Sequence, residues 1–513
     1  MTSSSTFDPS DGCRDRFQCN EPRYKNTVYC VLHYPAGDKV LDFLEALKIK
    51  LSKRNFDFRG VWFPAKADFH EFRFAGEVNF KEAVFQDEAD FSRATFEREA
   101  TFSSVHFESG AEFRSASFQK SVTFRGAIVN GEINFNSAVF KQRANLKAHF
   151  KGKCDFSQSE FGDLTEFTDA VFEKDANFYK GKFLSISRFD DAKFIQITNF
   201  DEVLFHERVN FNAAVFHQEV NFRGAVFEER VLFDATQFKR AVDFHLATFK
   251  DYVRFKGAEV FLRDSPPNFR EVKFVHPELV SFHTVHLRPF WFVEVDATNF
   301  VLTNVSWDWH LITIDQERDG VVRHYKGLSS PDAAFSLLSI ACWNFAVNAE
   351  ENHRYEEASD FRYLAMELRR RHLPFRPTYG KMKTSKTDVS ARSTFPQSSE
   401  TRPFRQSLTG TVGVVHRLYW LLSGYGEKIV RALLVLIGIW LVFAILYAIL
   451  LRDNTGTRLG WRGAHYSAAV LTLQKPEPHP SPGIAHALVT LETILGPVQA
   501  ALLALAIRRK FMR

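Results

Sequence analysis

Phenylalanine recurs along this chain at a fixed interval. From residue 58 onward the side chains are spaced alternately five and six residues apart, and this eleven-residue beat continues to Phe255. The first of these positions are Phe58, Phe63, Phe69, Phe74, Phe80, Phe85, Phe91, Phe96, Phe102, Phe107, Phe113, Phe118 and Phe124. Because each unit of such a repeat can bury its apolar side chain only against the next unit, the fixed period predicts a solenoid.

Small and polar residues accompany the phenylalanines in register. Two positions before nearly every Phe stands Ala or another compact residue, as at Ala83 and Val122. Residues i and i+2 of an extended segment point the same way, so each such pair lies on one inward face. The residue between them is polar, often Asp or Asn, and such side chains hydrogen-bond local backbone at corners. The pattern predicts short extended faces joined by corners.

The triplets 67–69 (ADF), 144–146 (ANL) and 176–178 (ANF) resemble pentapeptide repeats, A-(D/N)-(L/F)-x-x. This resemblance implies a mainly β fold, a right-handed quadrilateral β-helix with Phe and Ala inside. One residue is added to every second unit, so a coil takes about 22 residues and roughly nine coils form a rod about 45 Å long. The sequence is one residue short between Leu146 and Phe150, where we expect a distorted corner.

Four potential metal ligands precede the repeats: Cys13, Cys19, Cys30 and His33, spaced C-x5-C-x10-C-x2-H. A set of three Cys and one His is typical of structural zinc, which could hold a segment this short in a fold. With all four positions filled by protein, the metal would organise the segment and would not catalyse. The alternative is three unrelated cytosolic thiols and a surface histidine.

Changes in residue pattern divide the chain into seven predicted segments. The first three are a disordered start (1–12), a zinc knuckle with an N-terminal helix or cap (13–50), and the regular β-helix (51–262). Irregular coils and a C-terminal cap near Trp307 and Trp309 (263–329) and a helical hairpin (330–373) follow. The last two are a flexible basic linker (374–411), rich in Ser, Thr, Pro, Lys and Arg, and a membrane domain (412–513).

Two transmembrane helices are predicted in the last segment, near 430–451 and 484–507. Residues 432–451 carry no charge, and their length matches a hydrocarbon core of about 30 Å. Lys and Arg before the first helix and after the second favour a cytoplasmic position for both flanks. We therefore expect a multi-pass protein of the inner (cytoplasmic) cell membrane, with both termini cytoplasmic.

The second predicted span contains polar residues. Glu492 and Gln499 are seven residues apart, hence on one helical face, with Gly496 between them. An intramembrane carboxylate suggests function because an unpaired charge there is costly. We expect this face to meet another helix or a pore, and two hypotheses stay open: a protonated Glu492 that holds an oligomer together, and ion conduction. The candidate pore or oligomer contacts are Glu492, Gln499, Gly496 and His486.

The last segment contains, in order, a span, the amphipathic stretch 461–473, a proline-rich segment and a second span. This order is similar to the two-helix pore domain of potassium-channel-like proteins. The position of the selectivity filter reads QKPEP at 474–478. A potassium filter needs rings of backbone carbonyls, which prolines with a lysine do not supply. The resemblance implies an architecture and a homo-oligomer more than potassium selectivity.

The sequence favours binding over catalysis. It contains no GxxxxGK[ST], GxSxG, HExxH or GxGxxG motif, so we expect no enzyme. The formal net charge of +5 is small for 513 residues, which makes nucleic acid an unlikely partner.

Three functions follow. The favoured one is a membrane-tethered cytosolic scaffold whose rod binds an unknown cytosolic protein, and its rival is a degenerate ion channel or permeability effector with the β-helix as sensor. The third, a DNA mimic that binds gyrase, is implied by soluble pentapeptide-repeat relatives but needs a strongly acidic rod. Here Lys and Arg nearly balance Asp and Glu.

Overall fold

A computed structural model describes residues 13–262, 265–307, 314–324, 331–372, 409–451, 458–474 and 483–511. The chain divides into two compact units, Met1–Thr313 and Ile314–Arg513. The predicted disordered start (1–12), residues 374–408 of the predicted linker, Trp309 and residues 475–478 of the filter position lie outside the described residues.

The first unit is a parallel β-solenoid, as the repeat predicts. In the described residues its four faces are parallel sheets of nine, nine, ten and eleven strands. The first sheet contains Trp62–Phe63, Val84–Phe85, His106–Phe107, Ile128–Val129, His149–Phe150, Val171–Phe172, Lys193–Phe194, Val215–Phe216 and Gln237–Phe238. The second contains Ala67–Asp68, Ala89–Asp90, Gly110–Glu112, Glu132–Asn134, Cys154–Asp155, Ala176–Asn177, Thr198–Asn199, Val220–Asn221 and Val242–Asp243.

The other two faces extend further along the chain. The third sheet contains Arg73–Phe74, Thr95–Phe96, Ser117–Phe118, Val139–Phe140, Glu160–Phe161, Lys182–Phe183, Leu204–Phe205, Val226–Phe227, Thr248–Phe249 and Lys273–Phe274. The fourth contains Val78–Asn79, Ala100–Thr101, Val122–Thr123, Ala144–Asn145, Thr165–Glu166, Ser187–Arg188, Val209–Asn210, Val231–Asp234, Val253–Lys256, Val280–His283 and Val301–Thr303. A further pair joins His286–Leu287 to Ser306–Trp307.

Alternate corners of each coil contain a tight turn. At one of them the Ala83 N–H donates to the Phe80 carbonyl at 3.0 Å, and Glu82 takes a left-handed φ of 60°. The same geometry recurs every eleven residues, mostly on residues other than glycine. Among the described residues, no residue between Ser137 and Gln158 has a positive φ, glycines included. The one-residue gap after Leu146 therefore removes the left-handed residue from that corner.

The interior is filled by stacked rings. Phe178 lies 5.1 Å from Phe156 and 4.7 Å from Phe200, with nearly parallel planes, one coil away on each side. Its edge meets Phe167 of the neighbouring stack at 5.5 Å and 89°. All four rings are fully buried. Offset-stacked and edge-to-face contacts are the arrangements that aromatic rings prefer, so the same geometry stabilises each coil.

Both ends of the solenoid are covered. At the N-terminal end lie α1 (Cys13–Phe17), a 3-10 turn (Gly37–Lys39) and α2 (Val40–Ser52), and Phe43 of α2 packs edge-on against Phe63 at 5.3 Å. At the other end are the 3-10 turns Pro277–Leu279 and Pro289–Phe292. Trp291 is buried there, and Phe292 stacks on Phe269 at 5.4 Å. Such caps shield the last apolar layer of a repeat protein.

The second unit is helical. Its described helices are α3 (Ile314–His324), α4 (Pro331–Glu351), α5 (Tyr355–His372), α6 (Thr409–Ser423), α7 (Ile429–Leu450), α8 (Arg462–Leu471) and α9 (Ile484–Phe511). Helices α4 and α5 form a hairpin in which Phe345 packs on Phe361 at 5.3 Å. Residues 314–324, which the sequence places among irregular coils, form α3 instead, and Val321 of this mostly polar helix is buried.

Two of these helices have the length and composition of membrane spans. Ile429–Leu450 has a mean hydropathy of 2.9 over its most apolar window, and Ile484–Arg509 has 1.7. Both are long and apolar enough to cross a membrane. Short α8 packs against α7 and α9.

Candidate functional site

The four predicted metal ligands lie together at the N-terminal end of the solenoid. One ligand atom from each of Cys13, Cys19, Cys30 and His33 lies within 4.8 Å of all the others. The Sγ atoms of Cys19 and Cys30 are 3.6 Å apart, and Cys30 Sγ is 3.0 Å from His33 Nδ1. Tetrahedral zinc with Zn–S bonds of about 2.3 Å holds its sulfur ligands roughly 3.8 Å apart. The cluster could therefore hold a metal ion.

Local structure explains why these ligands meet. Cys13 lies in α1, and Cys30 forms an isolated antiparallel bridge with Arg23. A turn follows in which the His33 N–H donates to the Cys30 carbonyl at 3.1 Å. This C-x2-H turn brings the sulfur and the imidazole to the same side.

The orientation of His33 suits a metal ligand. Its Nε2 lies 2.8 Å from the carbonyl oxygen of Arg59, which can only accept, so Nε2 carries the proton and donates. In the neutral ring Nδ1 is then the unprotonated nitrogen, and it faces the cysteine sulfurs. Metal-ligating histidines are usually held in this way by a carbonyl or carboxylate on the other nitrogen. The ring also stacks on Phe17 at 5.2 Å.

The surroundings of Cys19 favour its thiolate form. A hydrogen bond from Cys30 lowers the pKa of Cys19 to about 4, against the opposing effect of burial, and the pKa of Cys30 is raised in turn. Nearby Lys39 is fully buried, and its Nζ donates to the carbonyls of Val31 at 2.7 Å and Leu32 at 3.0 Å. Burial lowers the pKa of Lys39 to about 7, and the charge of Cys30 opposes that change.

The cluster is joined to the first coils. Arg16 and Glu82 form an ion pair at 2.7 Å, and the Trp62 N–H donates to the Leu32 carbonyl at 2.9 Å. Phe17 packs directly over Gly60, where an added Cβ would lie 2.1 Å from the ring. Gly60 also has a left-handed φ of 64°. The knuckle and the solenoid therefore share one packed surface.

The second sheet carries a ladder of amides on its outer surface. The side-chain N–H of Asn177 donates to Asp155 at 3.0 Å, that of Asn199 to Asn177 at 3.1 Å, and that of Asn221 to Asn199 at 3.2 Å. Asn177 also accepts the backbone N–H of Tyr179 at 3.2 Å, as the sequence predicts for corner residues. These bonds fix the outward side chains of successive coils.

A concave acidic region borders this ladder. A cavity of about 290 Å³ is lined by residues including Glu112, Glu132, Asp155 and Asp175, with Lys153 as the counter-charge. Its neighbouring corner is built from stacked glycines, where a Cβ on Gly152 would lie 2.0 Å from the Gly131 carbonyl. The region is a local recess in the surface of the solenoid.

Three of the four predicted membrane residues share one buried face of α9. Glu492 and Gln499 are 0% and 1% exposed. Glu492 hydrogen-bonds Ser467 of α8, and Gln499 donates to the carbonyls of Leu422 and Ala432, both at 2.8 Å. An added Cβ on Gly496 would lie 2.4 Å from Leu471. His486 is exposed and lies apart from them.

The second unit contains a buried cluster of ion pairs that was not predicted from the sequence. Glu427, 8% exposed, accepts hydrogen bonds from Ser359 at 2.8 Å, from Arg362 at 3.1 Å and from Arg509 at 3.1 Å. Arg362 also pairs with Glu350 at 2.5 Å. A carboxylate two residues before an apolar helix is the signal that could have revealed it.

The turn before Glu427 is strained. Gly424, Tyr425 and Gly426 have consecutive left-handed φ values of 55°, 63° and 74°. Tyr425 is fully buried, and its carbonyl accepts a hydrogen bond from Arg509 at 2.9 Å. A left-handed non-glycine residue costs on the order of 1–2 kcal/mol, so the surrounding contacts must hold this turn in place. The GYG triplet therefore shapes the junction between α6 and α7.

Comparisons with known proteins support the reading of the solenoid. A family model of pentapeptide repeats (9 copies) matches residues 58–106, 69–117, 182–226 and 211–259. No curated protein and no solved structure matches the chain. Residues 58–117 and 182–259 of the solenoid therefore match pentapeptide repeats, and the second unit contains two helices long and apolar enough to cross a membrane.

Proposed function

We propose that the protein is a membrane-tethered scaffold. Its solenoid presents a rod-like binding surface to a cytosolic protein, and α7 and α9 anchor the chain in the inner membrane with both termini cytoplasmic. The observation that carries this proposal is the bonded ladder through Asp155, Asn177, Asn199 and Asn221, which holds outward polar groups at a constant spacing. A preorganised surface binds without the entropic cost of ordering side chains.

The surfaces of α7 and α9 support the anchor. Leu434 and Ile445 of α7 are 61% and 59% exposed, and Ile494 of α9 is 59% exposed. Apolar side chains turned outward over two helices of this length match a lipid environment. The homo-oligomer that we propose would form through other parts of these two helices.

The recess beside the ladder is where we place the protein partner. It offers carboxylates of Glu132 and Asp175 around a concavity. A partner with exposed Lys or Arg side chains would meet complementary charge there, which speeds association and selects partners. Catalysis forms no part of this function.

Structural zinc completes the N-terminal end of the rod. Three sulfur ligands and one imidazole fill a tetrahedral site with protein atoms, so the ion would have no open position for substrate. Buried Lys39 partly offsets the net negative charge of three thiolates and Zn²⁺. Native mass spectrometry should find one zinc ion per chain, and Cys30→Ser should abolish binding while Cys154→Ser does not. Retention of zinc by Cys30→Ser would contradict this assignment.

The tether is tested by extraction of membranes with alkaline carbonate. The full-length chain should stay in the membrane pellet, whereas a chain ending at residue 372 should appear in the supernatant. A full-length chain with Leu434→Gln and Ile445→Gln should be extracted in part, because both changes place amides on the outer face of α7. Extraction of the unaltered protein would refute the anchor.

The partner surface is tested by cross-linking in native membranes. A partner linked to the rod should be lost from Glu132→Gln/Asp175→Gln, which removes charge from the recess. The matched control Glu202→Gln/Glu219→Gln removes the same charge elsewhere on the solenoid and should retain it. Equal cross-linking in both variants would contradict the assignment of the recess.

Ion conduction is a second candidate function. The observation that favours it is the order of long α7, short α8 and long α9, with α8 packed against both. Planar-bilayer recording of the purified full-length protein, beside Glu492→Gln, tests it. Discrete openings altered by the substitution would make the protein a channel with the solenoid as sensor. A silent bilayer with inserted, oligomeric protein would leave the scaffold.

A further inference from the structure

Among the described residues of the helical unit, Glu492 is the most deeply buried carboxyl group. It lies in the N-terminal third of α9 and is 0% exposed. The polar groups that face it come from two other helices: Ser467 of α8 and Tyr447 of α7, with Tyr466 of α8 nearby. None of these side chains carries a positive charge. Among the described residues, Glu492 therefore lacks the cationic partner that a buried carboxylate needs.

The Ser467 hydroxyl has one proton and two neighbouring oxygen atoms that could accept it. Ser467 Oγ is hydrogen-bonded to Glu492 Oε1, and it also lies 3.2 Å from the carbonyl oxygen of Trp440 on α7. A serine hydroxyl has one proton to donate. An ionised Glu492 and the Trp440 carbonyl would both be acceptors, so one of the two contacts would have no hydrogen.

A proton on Glu492 gives each of these contacts a hydrogen. Glu492 Oε1–H then donates to Ser467 Oγ, and Ser467 donates to the Trp440 carbonyl. Among the described residues, Glu492 Oε2 and the Tyr447 hydroxyl are both buried without a hydrogen-bond partner. A small movement of the Tyr447 side chain would let its hydroxyl donate to Oε2. Each oxygen of the carboxylic acid then has a role, and no charge is buried.

We propose that Glu492 is a proton-binding site, a neutral carboxylic acid that locks α8 between α7 and α9. The ligand is a single proton, and the lock is made within one chain, so it does not depend on whether the helices serve as an anchor or a channel. Loss of the proton would leave a carboxylate with no counter-charge in this core, which would weaken the attachment of α8.

The close packing of α8 on α7 positions Ser467 for its hydrogen bond with Glu492. An added Cβ on Gly463 would lie 2.5 Å from the Ala444 carbonyl of α7, and Trp440 Nε1 donates to the Ala464 carbonyl at 3.0 Å. Small residues let the helices approach closely. Ser467 is thereby held one turn further along α8, within reach of Glu492.

Infrared spectroscopy of the full-length protein in lipid bilayers tests the proposal. The difference spectrum between wild type and Glu492→Gln, recorded at neutral pH, should contain the C=O stretch of a carboxylic acid. Ser467→Ala should keep that band and move it to higher frequency, because the acid loses its acceptor. As a control, Thr490→Ala on the exposed side of α9 should leave the band unmoved.

Two results would overturn the proposal. Carboxylate bands in place of the acid band at neutral pH would show that Glu492 is ionised. An acid band unchanged by Ser467→Ala would show that Ser467 is not its acceptor. If Glu492→Gln does not fold, solid-state NMR of wild-type protein replaces the difference spectrum. The ¹³C chemical shift of the labelled Glu492 carboxyl group then shows whether it is protonated or ionised.

Discussion

The two units of the chain distribute polarity in opposite ways. In the solenoid the interior is apolar, as at Phe178, and the polar side chains form ladders on the outside. In the helical unit the buried groups include Glu427, Arg362 and Glu492, whereas leucine and isoleucine of α7 and α9 face outward. The contrast teaches that the polar outer surface of the solenoid suits water, whereas the apolar outer faces of α7 and α9 suit the lipid anchor that we propose.

The two units also differ in what fixes their structure. Each coil of the solenoid repeats the same contacts, so no single contact is unique. The helical unit depends on a few singular interactions, such as the ion cluster at Glu427 and the close approach at Gly463. Single substitutions should therefore act locally in the first unit and spread over several helices in the second.

Phe178→Ala should have the largest effect. It removes a ring stacked on both sides and leaves a cavity, which costs about 3–5 kcal/mol. Lys182→Ala on an outward position should change stability by less than about 0.5 kcal/mol. Hydrogen exchange should show the loss in the adjoining coils, with α4 to α9 unchanged. Equal effects of the two substitutions would contradict the burial of the stack.

Glu427→Gln should destabilise the helical unit by about 3 kcal/mol, because it removes the buried carboxylate that Arg362 and Arg509 share. Faster exchange is expected at α5 and α9 together. The control is Lys428→Gln, which breaks an exposed pair with Asp360 and should cost less than about 1 kcal/mol. Faster exchange in only one of the two helices would argue against the cluster.

Gly463→Ala should cost about 1–3 kcal/mol, since its Cβ would meet the backbone of α7 and no side chain can move aside. Gly438→Ala on α7 has no atom within 4 Å of the added Cβ and should be neutral or slightly stabilising. Thermal unfolding in detergent measures both. A tolerated Gly463→Ala would mean that α8 is not packed closely on α7.

Two neighbouring alanines give the smallest effects, of opposite sign. Ala213 has a left-handed φ of 54°, so Ala213→Gly should stabilise the solenoid by about 0.5 kcal/mol. Ala214 is fully buried in the interior, and Ala214→Gly should destabilise by about 1 kcal/mol. Chemical unfolding of the full-length chain checks the signs. Two changes of the same sign would contradict the turn geometry.

The period of the sequence was sufficient to predict the solenoid. Phenylalanine and alanine positions specify which side faces inward, and they also located the short corner after Leu146. The left-handed residues could not be foreseen, because Glu82 and Ser104 stand where glycine is expected. Backbone hydrogen bonds between coils stabilise these corners. Because these bonds join residues of different coils, local residue preferences do not predict the left-handed positions.

The candidate sites were predictable to different degrees. Spacing identified the four metal ligands because the C-x2-H turn is local, although the Arg59 carbonyl that orients His33 comes from the first coil. For α9, helical periodicity placed Glu492 and Gln499 on one face. It could not reveal Ser467 or the Glu427 cluster, since those contacts join residues far apart in sequence.

The reversal of polarity between the two units is tested most directly by spin labels in the full-length protein in lipid bilayers. One label replaces Leu434 on the outer face of α7, and the other replaces Lys182 on the solenoid. We expect oxygen dissolved in lipid to relax the label at Leu434 and a water-soluble nickel complex to relax the label at Lys182. Strong relaxation of the Leu434 label by the nickel complex would place α7 in water and contradict the account.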